Sequence, residues 1–193
     1  MRDLPGMWRK MAVLVVVILG GRALLAADTY QVDSAHSTAV FRISHLSLSW
    51  TYGRFTDVSG TFTIDPDNPA NTQFVLEARA ESINTDNEQR DMHLRSPDFL
   101  NTRQFPVITF KSLRCQRVEN GWQVEGELTL HGVTHPVTLK FVGGRTAEFP
   151  PGTFRTGYST EFVIRRSAFG MDRMLEAIGE QVYVFLSFEG VRK

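Results

Sequence analysis

Apolar and polar residues alternate with period two over most of the chain from Thr29 onward, the mark of half-buried β-strands. Ala39, Phe41 and Ile43 alternate with Val40, Arg42 and Ser44, and Phe62 and Ile64 close a second run before the turn-rich stretch 65–71. Phe74, Leu76, Ala78 and Ala80 share one face. Trp122, Val124, Gly126, Leu128 and Leu130 face one way, opposite Gln123, Glu125, Glu127, Thr129 and His131. Val137, Leu139 and Phe141 follow after a tight connection. Phe154, Tyr158, Phe162 and Ile164 make another such face, and Val182, Val184, Leu186 and Phe188 the last. The pattern predicts an all-β chain of roughly eight or nine strands. An open sheet of that size exposes two edges, and closure into a barrel removes them.

Two interruptions predict helix. Thr85 followed by Glu88 has capping-box spacing and predicts a short polar helix to about Leu94. Ser96-Pro97 then predicts an N-cap and first position of a one-turn helix to Leu100. Met171 to Ile178, between Gly170 and Gly179, predicts a second helical stretch. No internal repeat or low-complexity linker divides the strands, so they read as one domain over 28–193.

Residues 1–27 have a different pattern. Arg2, Arg9 and Lys10 precede an apolar or glycine run from Met11 to Gly21, and Ala23, Ala26 and Ala27 follow. Basic, apolar and small-residue regions in that order predict a cleaved signal peptide. The run is shorter than the roughly 20 residues a membrane-spanning helix needs, and Arg22 ends it, so no stable membrane insertion is expected. Cleavage is placed after Ala27 or Ala26.

Composition refines this picture. The 193 residues are 42% hydrophobic, enough for one sizeable core. Lys plus Arg and Asp plus Glu number 21 each, which argues against nucleic-acid binding. Removing 1–27 takes away four basic residues and Asp3, leaving 17 basic and 20 acidic residues, a net charge of −3. Phe supplies 14 of the 21 aromatic residues, and so many rings without a polar handle need burial in a core or a pocket. An eight-stranded barrel either fills its interior or holds one elongated ligand. Small residues on inward-reading faces (Ala78, Ala80, Gly126) fit a hollow barrel, and equally fit large and small side chains interlocking in a filled one.

Catalytic patterns are weak. The single cysteine, Cys115, has no disulfide partner and reads as a small buried hydrophobe. His131 and His135 have the spacing of a helical zinc pair, but Gly132 and Pro136 disfavour a helix there, and no metal site is predicted. Asp33, Ser34, His36 and Ser37 contain hydrolase residue types, yet neighbours in one segment seldom converge. No phosphate loop or dinucleotide fingerprint occurs, so no catalytic residue, no cofactor and no enzyme activity is predicted.

Six short segments, in order, carry a resemblance. They are 33–37 (DSAHS) with 41–46 (FRISHL), 53–55 (GRF) with Gly60, 90–100 (RDMHLRSPDFL), 105–112 (FPVITFKS), 126–137 (GELTLHGVTHPV) and 164–171 (IRRSAFGM). Together they span about Tyr30 to Glu189, and on them the chain resembles the YceI-like, polyisoprenoid-binding family. The resemblance implies an up-and-down, antiparallel, eight-stranded lipocalin-like barrel with one or two short helices. It implies a long apolar cavity for an isoprenoid chain, such as a polyprenyl diphosphate or a quinone tail, with that lipid as ligand and no cofactor required. It also implies a periplasmic location and, in some members, homodimers.

Within that frame Phe41, Phe74, Phe110, Phe162 and Phe188 are candidate cavity-lining residues, and each equally suits an ordinary core. Arg54, Arg90, His93 and Arg165 are candidates to hold a headgroup at the mouth, because arginine forks match phosphate oxygens. The same four suit a structural role, capping carbonyls or pairing with Asp91 or Asp98. Three functions remain open: a lipid carrier or sequestering protein, a protein-interaction module serving a membrane redox chain, and an enzyme acting on the bound lipid.

Overall fold

The alternating segments form strands β1 (Asp28–Val32), β2 (Thr38–His45), β3 (Ser49–Phe55), β4 (Val58–Ile64), β5 (Gln73–Arg79), β6 (Ile83–Asn84), β7 (Val107–Val118), β8 (Gly121–Leu130), β9 (Val133–Glu148), β10 (Phe154–Arg165) and β11 (Ile178–Arg192). A single helix of more than one turn, α1 (Glu88–Arg95), is present among the described residues. The computed structural model describes residues 27–193, so the signal-peptide expectation lies outside the described residues except for Ala27.

The strands pair in the order β1-β4-β5-β7-β8-β9-β10-β11, and β1 pairs back onto β11. That closes an eight-stranded antiparallel barrel, in which the ring itself has no free edge. β2, β3 and β6 add to β11 in turn. They are continuations of β1, β4 and β5 past a kink. The 3₁₀ turn Ser34–His36 separates β1 from β2, Thr56 and Asp57 separate β3 from β4, and the 3₁₀ turn Ala80–Ser82 separates β5 from β6. Both β1 and β2 pair with β11, at its end and its start respectively. The chain is therefore an up-and-down meander of eight bent staves.

All three expected helical stretches differ from the structure. The first begins at Glu88, with Asn87 as its N-cap accepting from the Arg90 amide at 2.9 Å; Thr85 is not the cap. Thr85 is buried instead, where its amide and hydroxyl both donate to Asp91 Oδ1. Residues 96–100 make a turn, closed by Leu100 N donating to the Leu94 carbonyl at 2.9 Å. The sequence predicts helix over 171–178, but residues 173–177 form turns and Ile178 already begins β11. Met174 has a left-handed φ of 55°, and the buried Arg166 guanidinium takes the carbonyls of Met171 and Arg173, which a helix would need for itself.

Inside, the barrel divides into two halves. Around β1, β4 and the ends of β8 and β11, aromatic rings fill the interior. Phe62, Phe74, Phe141 and Phe188 are almost wholly buried, with Tyr30, Trp122 and Tyr158 beside them. Phe74 lies edge-on to Phe141 at 4.8 Å, and Phe62 stacks on Tyr30 at 5.1 Å. Gly190 permits this packing, since a Cβ there would stand 2.5 Å from the Phe62 ring. Cys115 is buried in the same core, and burial pushes its thiol pKa up. In the other half the inward residues are smaller, and the interior is hollow.

Candidate functional site

The hollow half holds a cavity of about 690 Å³. Its walls are the inward faces of β2 (Ala39, Phe41, Ile43), β10 (Phe162, Ile164) and β11 (Val182, Val184, Leu186), with Ile108 and Val137 opposite. Period two explains these faces. Phe162 pairs with Val184, which pairs with Phe41, so one layer runs continuously across three strands. Native interiors contain few voids larger than a water molecule, so an apolar space of this size stands out as the candidate site.

The ring is weak where β6 has only two residues, and α1 with the turn after it closes the wall there. Gln89, Arg90, His93 and Leu94 of α1 line the cavity, as do Phe99 and Leu100. Arg95 fastens the helix to the barrel through the carbonyls of Glu81 and Ile83, at 2.9 and 2.7 Å. Asp91 holds the other side through Thr85. Across the cavity, Met171 and Met174 of the β10–β11 connection and Ile178 at the start of β11 complete the wall.

The five expected lining phenylalanines separate into two groups. Phe41, Phe110 and Phe162 face the cavity. Phe74 and Phe188 do not: they sit inside the aromatic plug, because Phe62, Phe141 and Tyr158 converge on them from the facing strands. The small residues also differ in effect. Ala78 lines the cavity, and Ala80 is buried in a 3₁₀ turn. Gly126 makes no space, since a Cβ there would meet the Phe110 ring at 2.8 Å; it admits that ring.

The four mouth candidates divide similarly. Arg90 lines the cavity while its Nε and Nη2 donate to the Thr85 hydroxyl and carbonyl, at 2.7 and 2.6 Å. His93 lines it too, with Nε2 at 3.1 Å from Asp98 Oδ2 and its ring edge-on to Phe99. Arg165 lies outside the lining, exposed and paired with Glu180 at 2.9 Å. Arg54 is also outside it, on an exposed position of β3. Both alternate away from the interior, as odd and even positions of a strand must.

Arg166 is the residue that sequence reading missed. It is 3% exposed and donates to four carbonyls, those of Gly179, Met171, Arg173 and Ile178, at 2.7–2.9 Å. Burial lowers its pKa, and Asp172, Glu180 and Glu176 oppose that shift. The signal was available: 162, 164 and 166 continue one inward face. His131 Nδ1 and His135 Nε2 stand 2.9 Å from the carbonyls of Phe169 and Ala168, and so latch the adjoining 3₁₀ turn to the β8–β9 hairpin. Among the described residues no group of three His, Cys, Asp or Glu side chains is placed to hold a metal. Contrary to the sequence reading, Asp33 and His36 do meet, at 2.9 Å, but Ser37 turns its hydroxyl to the Asp33 carbonyl instead of the imidazole.

Residues 30–190 match the YceI-like domain family. The chain belongs to the YceI-like family.

A protein YceI of Escherichia coli is 39% identical over 173 residues, covering 88% of this chain and 89% of its own length. A UPF0312 protein of Yersinia enterocolitica is 36% identical over 182 residues, covering 94% and 95%. Two solved structures share the YceI-like barrel. BcnA of Burkholderia cenocepacia superposes with a TM-score of 0.74 at 19% identity, over 82% of this chain and 98% of its own. A domain of Saccharophagus degradans, described as polyisoprenoid-binding, does so with a TM-score of 0.65 at 18% identity, over 85% and 98%.

Proposed function

We propose that this YceI-like protein binds a long-chain isoprenoid lipid in its barrel cavity and serves as a periplasmic carrier or sequestering protein. The observation that carries the reading is the apolar cavity of about 690 Å³ in one half of the barrel, beside a half that is densely filled. Burial of each methylene is worth about 0.8 kcal/mol, so a prenyl chain gains strongly by leaving water for such a space. The polyisoprenoid-binding description of the Saccharophagus domain supports the same ligand class. Gln89, Arg90 and His93 at the α1 wall supply donors for a polar headgroup, a diphosphate or a quinone. The basic, apolar and small-residue order of residues 1–27 supports export.

The test is extraction of the protein after export in its own host, followed by mass spectrometry of what it carries. A long-chain isoprenoid at near-stoichiometric occupancy is the expected result. An empty barrel, or one holding only phospholipid, overturns the reading. N-terminal sequencing of the same sample should begin after Ala26 or Ala27.

A further inference from the structure

We infer that the aromatic plug acts as a ruler, limiting the enclosed part of the ligand to about five or six isoprene units. The inference rests on the lipid-binding reading above and adds to it the length of chain that is bound.

An open barrel could thread a chain from end to end, but here a layer of aromatic rings closes the interior below the cavity. Below the cavity, Phe62, Phe74, Phe141 and Phe188 contact one another at 4.8–6.3 Å, and Tyr158 packs against Phe62, Phe74 and Phe188 at 5.7–5.9 Å. Each of the four phenylalanines is 0–1% exposed, so no passage runs between them. Phe110 is the boundary. It lines the cavity, and its ring also lies edge-on to Phe141 at 5.8 Å. Gly126 fixes its position by letting the ring lie against the β8 backbone.

The capacity follows from volume. An apolar protein cavity of about 150 Å³ accommodates benzene, or roughly 25 Å³ per carbon. At that density the 690 Å³ cavity takes roughly 28 carbons, between five and six isoprene units. Carbons beyond that number must stay outside the mouth, where they gain nothing from burial. Affinity should therefore climb with chain length and then stop climbing.

The experiment uses the exported protein, stripped of lipid, with all-trans prenyl alcohols of three, four, five, six and eight units as probes. Native mass spectrometry of competing pairs reads relative affinity. Each unit added up to five should tighten binding at least about tenfold, and the step from six to eight should change it less than about twofold. Phe110→Ala removes the boundary ring and should move the plateau to about seven units. Ala78→Leu narrows the cavity without touching the plug and should shorten the plateau, so the test survives if Phe110→Ala does not fold. A tenfold or larger gain from six to eight units, or an unmoved plateau in the folded variants, overturns the ruler while leaving lipid binding intact. Failure of every chain length to bind overturns the lipid reading, and the ruler with it.

Discussion

Arg155 Nη1 donates to Asp33 Oδ2 at 2.6 Å, joining residues 122 positions apart. Asp33 caps the 3₁₀ turn that kinks β1 into β2, accepting from the Ala35 amide at 3.1 Å, and Arg155 stands near the start of β10. The pair thus fixes the first bent stave against the far side of the closing seam. Arg155, then His36, hold the Asp33 carboxyl down to about 2. In the unfolded chain the same group takes its proton at about 3.9. The contribution is therefore fully present above about pH 4 and is lost as pH falls toward 2. Denaturant melts between pH 5 and pH 2 should show that loss, and Asp33→Asn should remove most of it. An unchanged acid slope in the variant counts against the assignment.

The plug and the cavity wall should respond differently to truncation. Phe74 is fully buried among rings, and Phe74→Ala should cost about 3–5 kcal/mol. Phe162 borders an existing void, so its truncation leaves little new cavity and should cost less than half as much. Urea unfolding of the two variants measures the contrast. Equal losses would mean that the cavity is filled by collapse in solution.

Arg166 should not be replaceable by lysine. Its planar fork reaches four carbonyls drawn from two separate stretches, 171–173 and 178–179. A lysine ammonium has three donors and no such spread. Arg166→Lys should cost about 2–3 kcal/mol, the worth of one or two charge-assisted bonds. Hydrogen exchange should locate the loss in residues 171–178. Protection unchanged there would sink the idea. Arg165→Ala, one residue away and exposed beside Glu180, should leave the melting temperature unaltered.

The strand faces were legible in the sequence because period two decides them locally. Trp122, Val124, Gly126, Leu128 and Leu130 read as one face and are all buried. Closure was legible through the number of strands. The division of the interior was not. Phe74 and Phe162 both stand on inward faces, and nothing near either one distinguishes plug from wall. What decides it is the opposing strands: Phe62, Phe141 and Phe188 meet Phe74, while Val184 and Phe41 share a layer with Phe162. Helix ends failed for a related reason. The Thr85–Glu88 spacing fits a capping box, but the buried Asp91 claims Thr85, and Asn87 caps instead.

Thr160 offers a test of where the plug ends. It lies on the inward face of β10 between Tyr158 of the plug and Phe162 of the wall, and it is 4% exposed. Its hydroxyl finds no partner among the described residues. An unpaired hydroxyl in apolar surroundings is destabilising, and valine has nearly the same shape. Thr160→Val should therefore raise stability by about 1 kcal/mol in the lipid-free protein. Thermal melts of lipid-free and lipid-loaded protein separate two cases. If the gain is the same in both, the hydroxyl faces only protein. If it vanishes on loading, the chain end reaches Thr160 and the floor of the cavity lies there. A clear loss of stability in the lipid-free variant would show that the hydroxyl has a partner in solution, and would reject the placement of Thr160 in a dry boundary.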